Sequence, residues 1–359
     1  MSDQSKNRFV LIAFAGLSLI AGLWAGTIRL GWDLPVPSAT LPSFHGPLMV
    51  VGFLGTLIGL ERAVVMGRWW PYGVPLFTGV GVLSVLAGLP LQVGAALATV
   101  GSLLSVFVFV ALYRQSPSAH FVTMGLSGGA WLGGNCLWLA GYPLYSAAPW
   151  WAGFLVLMIA GERLELSRIV RPSWETRALF HSSVALVLIG LSLSLFQLHT
   201  GVRVTGIGLS ALALWLLRCD IARRTVREHG LSRYMAVCLL SGYAWLAGGG
   251  LLWLLFADQF NAGPGYDAML HSIFLGFVFS MIFAHAPIIF PSITGIALPY
   301  RELHYFHLVL LHLSLCLRVS GDLTLWVPAQ RWGGLVNILA VLLFLISNVR
   351  SAMMAQPNS

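Results

Sequence analysis

Charged side chains are scarce in this sequence. Only 9% of the 359 residues are Asp, Glu, Lys or Arg, whereas about a quarter of the residues are charged in a soluble globular protein. So few charges leave too little polar surface to solvate an ordinary exterior, which excludes a soluble domain of useful size. Because 58% of the residues are hydrophobic, we expect the exterior to face lipid.

Cysteine and the familiar catalytic motifs are also lacking. The four cysteines form no Cys-x-x-Cys pair, which argues against a disulfide framework and against a thiolate metal site. The sequence has no phosphate-binding Gly-rich loop with Lys, no Gly-x-Ser-x-Gly and no His-Glu-x-x-His. These absences argue against P-loop nucleotide binding, serine hydrolysis and zinc peptidase chemistry.

Long apolar runs are the main feature that is present. A transmembrane helix needs about 20 mostly apolar residues, and the apolar runs and their breakers predict twelve spans. The spans cover roughly 9–30, 45–66, 72–89, 93–113, 119–140, 148–169, 180–198, 202–219, 234–256, 267–286, 303–319 and 330–349. Basic residues precede the first run as in a signal peptide, but the later spans favour an uncleaved first helix. We therefore predict an all-α, polytopic membrane protein.

The basic residues predict the orientation of the chain in the membrane. With a cytoplasmic N-terminus, all but four of the 20 Lys and Arg residues fall on the cytoplasmic side, as the positive-inside rule requires. The exceptions are Arg29, Arg203, Arg318 and Arg331. We predict a plasma (cell inner) membrane protein with both termini in the cytoplasm. The net charge of +8 then reflects topology among membrane lipids, and no nucleic-acid partner is expected.

Short segments of the sequence repeat. Residues 126–132 (LSGGAWL) in the fifth span parallel residues 240–246 (LSGYAWL) in the ninth. Residues 59–62 (GLER) and 161–163 (GER) end the second and sixth spans in a similar way. We predict a single integral membrane domain of three four-helix pseudo-repeats, about 1–116, 117–230 and 231–359, arranged around an axis normal to the membrane.

The two Glu-Arg pairs predict ion pairs at the cytoplasmic ends of the helices. Adjacent residues on a helix do not face each other. We therefore expect Glu61 and Arg62, and likewise Glu162 and Arg163, to form ion pairs with neighbouring helices. The alternative is a proton-relay role for these pairs.

Two histidines are predicted to lie at similar depth near the outer face. His45 opens the second span and His271 lies about one turn inside the tenth. Gly52, Gly55 and Gly59 follow His45 along one side of the helix, where either another helix or a porphyrin ring would fit closely. Because haem iron is commonly held by histidine, both histidines are candidate haem ligands. The alternative for each is an interfacial histidine that bonds a loop carbonyl.

A second set of histidines lies near the inner face. The set consists of His285, His304 and His307 with Glu61, Glu162 and Glu165. It is a candidate second metal or cofactor site, because imidazole and carboxylate suit several metals. The alternative is an interfacial cluster of capping and ion-paired groups. Pro287 is expected to bend or end the helix just after His285. His312 is a candidate for either set. The remaining histidines are expected to be solvated: His120, His181, His199 and His229.

The span count and the two outer histidines resemble subunit I of the haem–copper oxidases. In that family the second and tenth helices ligate a low-spin haem near the outer face, which matches His45 and His271. The resemblance also implies that Arg331 or Arg318, both near the outer face, pairs with the haem propionates. The copper-binding histidines and the second haem ligand of that family are missing, so the protein is not expected to be a competent oxygen reductase.

Shorter stretches resemble the NnrS family of haem- and copper-containing membrane proteins linked to nitric-oxide metabolism. The similar residues are Phe44, His45, Met49, Gly52 and Phe53 in the second span, 158–163 in the sixth, and Leu270, His271, Met281, Ile282, Thr294 and Gly295 around the tenth. Pro47 stands where that family often has a second histidine, so copper is less expected than haem b.

The resemblance implies a haem-b-binding membrane protein of NnrS-like type, with nitric oxide or a redox protein as its partner. It would act in nitric-oxide response or membrane electron transfer. Whether it is an enzyme stays open. A twelve-helix secondary transporter is the first alternative, because internal repeats are common among carriers. A cofactor-free membrane assembly subunit is the second.

Overall fold

The computed structural model describes residues 3–170 and 173–355. Within these ranges the chain consists of helices and connecting loops, without a β-strand. Arg171 and the tail 356–359, both predicted to be cytoplasmic, lie outside the described residues. The long helices are α1 (Asp3–Arg29), α2 (Pro42–Met66), α3 (Trp70–Leu86), α4 (Leu91–Gln115), α5 (Ala119–Leu139), α6 (Leu144–Ser167), α7 (Trp174–Ser194), α8 (Leu198–Cys219), α9 (Gly230–Gln259), α10 (Gly263–Thr294), α11 (His304–Thr324) and α12 (Val327–Ala355).

Ten of these helices in the described part of the chain are long and apolar enough to cross a membrane. Two of the predicted spans fall short of that standard, for different reasons. Helix α3 is apolar but short, whereas α5 carries several glycines together with serine and asparagine, which lower its hydropathy. The all-α, polytopic membrane class is confirmed, and the count of twelve spans stays a prediction.

Large apolar side chains on these helices point away from the protein interior. Leu214, Leu255 and Leu313 are each more than 60% exposed, although they lie within long helices. In water such surfaces would be costly to leave uncovered. In a bilayer the same side chains contact lipid tails, so the exposed leucines fit a membrane-embedded chain.

The chain divides into two compact units, Met1–Phe154 and Leu155–Ser359. In the first unit, α1 packs on α2 and α3, and α3, α4 and α5 follow one another as neighbours. In the second unit, α8 packs between α7 and α9, α9 packs on α10, and α11 and α12 form a pair. Short loops join most neighbours, as is usual for antiparallel helices.

Helices α2 and α10 share an unusual backbone. Each contains an eight-residue π-helical segment, Leu48–Gly55 in α2 and Ser272–Phe279 in α10. π-Helix is rare, usually limited to a single bulge, and frequent at functional sites. The two segments are almost completely buried, and each begins within three residues of a candidate haem ligand.

Helix α10 continues beyond the point at which its end was predicted. Pro287 and Pro291 both lie inside the helix, which ends at Thr294 before Gly295 in the left-handed conformation (φ 75°). Of the two effects expected of Pro287, an end of the helix is therefore wrong, and the helix runs beyond the predicted limit of the span near residue 286. Prolines are tolerated within membrane helices because neighbouring groups can satisfy the freed backbone carbonyls.

Candidate functional site

His45 is held against the first helix. The Nδ1 atom of His45 lies 2.7 Å from the backbone oxygen of Gly22. A β-carbon at Gly26 would lie 3.1 Å from Cε1 of the same imidazole, so the absence of a side chain at Gly26 lets the ring approach α1. This hydrogen bond and this close contact hold the half-buried imidazole within the first unit.

His271 is held by the residue one turn before it on α10. Its Nδ1 atom lies 3.0 Å from the backbone oxygen of Asp267 and 3.1 Å from the Asp267 Oδ1 atom. Arg318 on α11 donates to both carboxylate oxygens of Asp267, over 2.7 Å and 2.8 Å. The imidazole thus contacts the Asp267 carboxylate, which Arg318 of α11 holds in place.

These contacts decide the tautomer of both histidines. A carbonyl oxygen only accepts hydrogen bonds, so the proton of each neutral imidazole lies on Nδ1 and the lone pair lies on Nε2. A metal-ligating histidine almost always donates its other ring N–H to a carbonyl or carboxylate. The surroundings of His45 and His271 therefore fit a haem ligand bound through Nε2.

The hydrogen bond from Nδ1 to a carbonyl does not by itself distinguish His45 and His271 from other histidines of the chain. His199 Nδ1 lies 2.8 Å from the Ala257 oxygen, and His285 Nδ1 lies 2.7 Å from the Met281 oxygen. What sets His45 and His271 apart is the π-helical segment that follows each of them.

A tryptophan packs on the π-helical segment after His45 and on the one after His271. Both tryptophans belong to the repeated motif, the LSGGAWL and LSGYAWL segments described above. Trp131 of α5 covers Gly55 in α2, and Trp245 of α9 covers Gly276 in α10, so closely that a methyl group at either glycine would overlap the indole. The two units therefore share a local structure: a histidine with a protonated Nδ1, a π-helical segment, and a tryptophan from the repeated motif that packs against a glycine.

Sequence reasoning did not identify the acidic residues beside His271. Asp322 of α11 is only 4% exposed and interacts electrostatically with Asp267 and Arg318. Its Oδ2 atom is buried without a hydrogen-bond partner among the described residues. The spacing of Asp267 and His271, four residues apart on one helix, was the signal that could have revealed this group.

The glycine stripe after His45 is filled by protein side chains. A β-carbon at Gly52 would lie 2.6 Å from Ser18 Oγ, and one at Gly59 would lie 2.6 Å from Val74 Cγ1. Gly55 is covered by Trp131, as described above. Of the two interpretations that the sequence left open, helix packing therefore explains the stripe, and a porphyrin is not expected to lie on it.

The two candidate propionate partners have different surroundings. Arg318 is 7% exposed and directs its Nε and Nη2 atoms to Asp267. These two hydrogen bonds support His271 through Asp267. They differ from the predicted contact between Arg318 and a haem propionate. Arg331 is half-buried in the second turn of α12, so it is the better of the two candidates.

The inner histidines are not gathered into a three-ligand site. In the described part of the chain no three His, Cys, Asp or Glu side chains are grouped so that they could hold a metal ion. His285 bonds its own helix, and His304 Nδ1 lies 2.7 Å from the Arg301 oxygen. His307 packs between Phe283 and Phe344, with ring centroids 5.2 Å and 5.4 Å away. The second metal site stays a prediction without a visible ligand set.

His312 is fully engaged in hydrogen bonds. Trp245 Nε1 donates to His312 Nδ1 over 3.0 Å, so the proton lies on Nε2, which is 2.9 Å from Ser241 Oγ. This residue joins α11 to the repeated motif of α9 and belongs to neither histidine set.

One of the histidines that were expected to be solvated is buried. His120 is only 4% exposed, because it lies in the first turn of α5 and its ring packs beside Phe121. His181 and His229 are exposed and His199 is half-buried.

The Glu-Arg pairs behave differently from each other. Arg163 pairs with Asp220, beyond the end of α8, which confirms a partner on another helix. Arg62 Nη2 lies 3.3 Å from its own neighbour, Glu61 Oε1. The expectation that adjacent residues do not meet was wrong here, because both long side chains can fold towards each other at the end of a helix.

Comparison with known proteins gives a family and no activity. No curated protein matches the chain. A family model described as a domain of unknown function (DUF8744) matches residues 8–353, which is nearly the whole sequence. The protein therefore belongs to the DUF8744 family.

Proposed function

We propose that this protein binds haem b through His45 and His271 and takes part in membrane electron transfer or in the response to nitric oxide. The observation that carries the proposal is the local structure that the two histidines share. Each has its proton on Nδ1, each precedes a buried π-helical segment, and each segment is covered by a tryptophan of the repeated motif.

The side chains around the two histidines have distinct roles in this proposal. The Gly22 carbonyl and the Asp267 oxygens accept from Nδ1 of His45 and His271, so Nε2 is the nitrogen that bears the lone pair in each neutral imidazole and could bind iron. Arg318 neutralises Asp267 and restricts its movement. When bound, a haem would supply one-electron chemistry. Two firmly held histidines favour electron transfer, whereas a labile histidine would open a position for nitric oxide.

The proposed location rests on the distribution of charge along the chain. The distribution of basic residues supports a plasma (cell inner) membrane protein with both termini in the cytoplasm. His45 and His271 then lie towards the outer face. The similarity to the NnrS family supports nitric oxide as a ligand, and a redox protein would be the partner for electron transfer.

The decisive experiment is a reduced-minus-oxidised absorption spectrum of the detergent-purified protein from haem-supplied cells. We expect a sharp low-spin b-type α band that is lost or shifted in His45→Ala and His271→Ala. His199→Ala is the matched control, because His199 makes the same hydrogen bond to a carbonyl but precedes no π-helical segment. A colourless wild-type protein, or a band that survives both ligand substitutions, would overturn the proposal.

A proton-coupled transporter is the second candidate function. Asp267 and Asp322 lie within membrane helices, where ionisable groups are costly and mark ion or proton pathways. A colourless protein whose proteoliposomes show proton flux that Asp322→Asn abolishes would favour this function over haem binding.

A further inference from the structure

A basic pocket lies at the end of α8, on the predicted cytoplasmic side. It is an open cleft with a volume of about 400 Å³, large enough for a phosphate-bearing headgroup. Its lining consists of Arg218, Cys219, Asp220, Arg223, Arg224, Arg227 and Glu228. Four arginines in a stretch of ten residues therefore face one space, the basic pocket.

The arginines of the basic pocket lack carboxylate partners. Among the described residues none of the four guanidinium groups lies within 4.0 Å of an Asp or Glu oxygen. Asp220 does not compensate them, because its carboxylate already accepts hydrogen bonds from Arg163, Tyr243 and the Ala222 backbone. Glu228 is the remaining acidic residue of the lining, so the pocket has a clear excess of positive charge.

Topology alone does not explain this arrangement. The positive-inside rule requires Lys and Arg on the cytoplasmic side, but it does not require them to line one cavity. Arg218 lies in the last turn of α8, and Arg223 folds back so that its Nη1 atom donates to the Arg218 oxygen over 3.1 Å. This contact holds the Arg223 guanidinium against the end of α8, where Arg218 also lines the pocket.

We propose that the basic pocket binds a phosphate group, carried by an anionic phospholipid or free in the cytoplasm. Guanidinium groups form paired hydrogen bonds with phosphate oxygens, and basic pockets at the cytoplasmic ends of membrane helices bind lipid headgroups. The position of Arg218 at the end of a membrane span places the pocket at headgroup height. The inference is independent of haem binding.

Cys219 provides a direct probe of occupancy, because it is half-buried in the pocket lining. The alkylation rate of Cys219 would be measured by peptide mass spectrometry in the full-length protein. The probes are phosphatidylglycerol in mixed micelles and inorganic phosphate at constant ionic strength. Phosphatidylcholine is the zwitterionic reference, because its ammonium group cancels the charge of its phosphate. A free low-molecular-weight thiol in the same sample is the internal standard for general changes in reactivity.

The pocket variant Arg223→Gln/Arg224→Gln/Arg227→Gln is compared with Arg68→Gln/Arg114→Gln/Arg350→Gln, which removes three exposed arginines from outside the pocket. We expect a several-fold fall in the Cys219 alkylation rate with phosphatidylglycerol or phosphate, lost in the pocket variant and retained in the control variant. Protection by phosphatidylglycerol alone identifies a lipid, and protection by free phosphate identifies a soluble anion. No protection by either anion, or equal protection in both variants, would overturn the inference.

Discussion

The Arg163 guanidinium and the Asp220 carboxylate form a buried, two-pronged ion pair. Nε lies 2.6 Å from Oδ2 and Nη2 lies 2.7 Å from Oδ1, and the two side chains are 4% and 1% exposed. Tyr243 and the Ala222 amide donate to the same carboxylate over 2.9 Å and 2.7 Å. One aspartate thus joins α6, α8 and α9 within the second unit.

Removal of this aspartate should destabilise the protein severely. Asp220→Ala leaves the Arg163 charge buried without its partner, which costs about 3–5 kcal/mol. The free energy of unfolding would be measured by denaturant titration in mixed micelles. Asp258→Ala is the control, because Asp258 pairs with Arg203 in an exposed ion pair worth about 0–1 kcal/mol. Equal losses of unfolding free energy in the two variants would show that the buried pair contributes no more to stability than the exposed pair.

The contact between Gly55 and Trp131 predicts a second stability effect. Gly55→Ala should lower the free energy of unfolding by about 1–3 kcal/mol, because the added methyl overlaps the indole. Gly248→Ala is the control, since no atom lies within 4 Å of a β-carbon there, and it should be neutral or stabilising. The measurement is thermal unfolding of the purified variants.

A compensating substitution tests whether this overlap is the cause. Trp131→Phe removes the ring atoms that the methyl would meet, and it breaks no hydrogen bond because Nε1 has no partner in the described part of the chain. The loss caused by Gly55→Ala should therefore be smaller in the Trp131→Phe background. An unchanged loss would assign it to the backbone of the π-helical segment.

Asp267 should affect haem affinity if the proposed function is correct. Asp267→Asn replaces the carboxylate that contacts His271 and leaves Arg318 uncompensated. Loss of such a partner typically lowers metal affinity by about 10–100-fold, which would be measured by haem titration of the apoprotein. Asp258→Asn should leave the affinity unchanged. Wild-type affinity in Asp267→Asn would exclude Asp267 from support of the ligand.

The orientation can be tested by reporter fusions. Alkaline phosphatase, which is active only after export, should be active when fused after Gly141 and inactive when fused after Pro117. The loops at these positions lie at opposite ends of α5, and the positive-inside rule places the first one outside. The reverse pattern of activity would invert the predicted topology.

Much of the architecture was predictable from the sequence. The low charge and the long apolar runs predicted the all-α membrane class, and most helix limits agree with the predicted spans within a few residues. The repeated motif directed attention to Trp131 and Trp245, which have equivalent packing roles in the two units. Such features depend on hydrophobicity and on local sequence pattern, and both can be read from a single sequence.

What the sequence by itself determined was therefore the membrane class, the approximate spans and the histidines worth testing. The tertiary structure decided which charges meet: Asp220 with Arg163, and Asp267 with Arg318 and His271. It also decided that the glycine stripe after His45 serves packing and that α2 and α10 contain π-helix. These partners lie on different helices, and the depth and rotation of one helix against another depend on side-chain packing that no local pattern encodes.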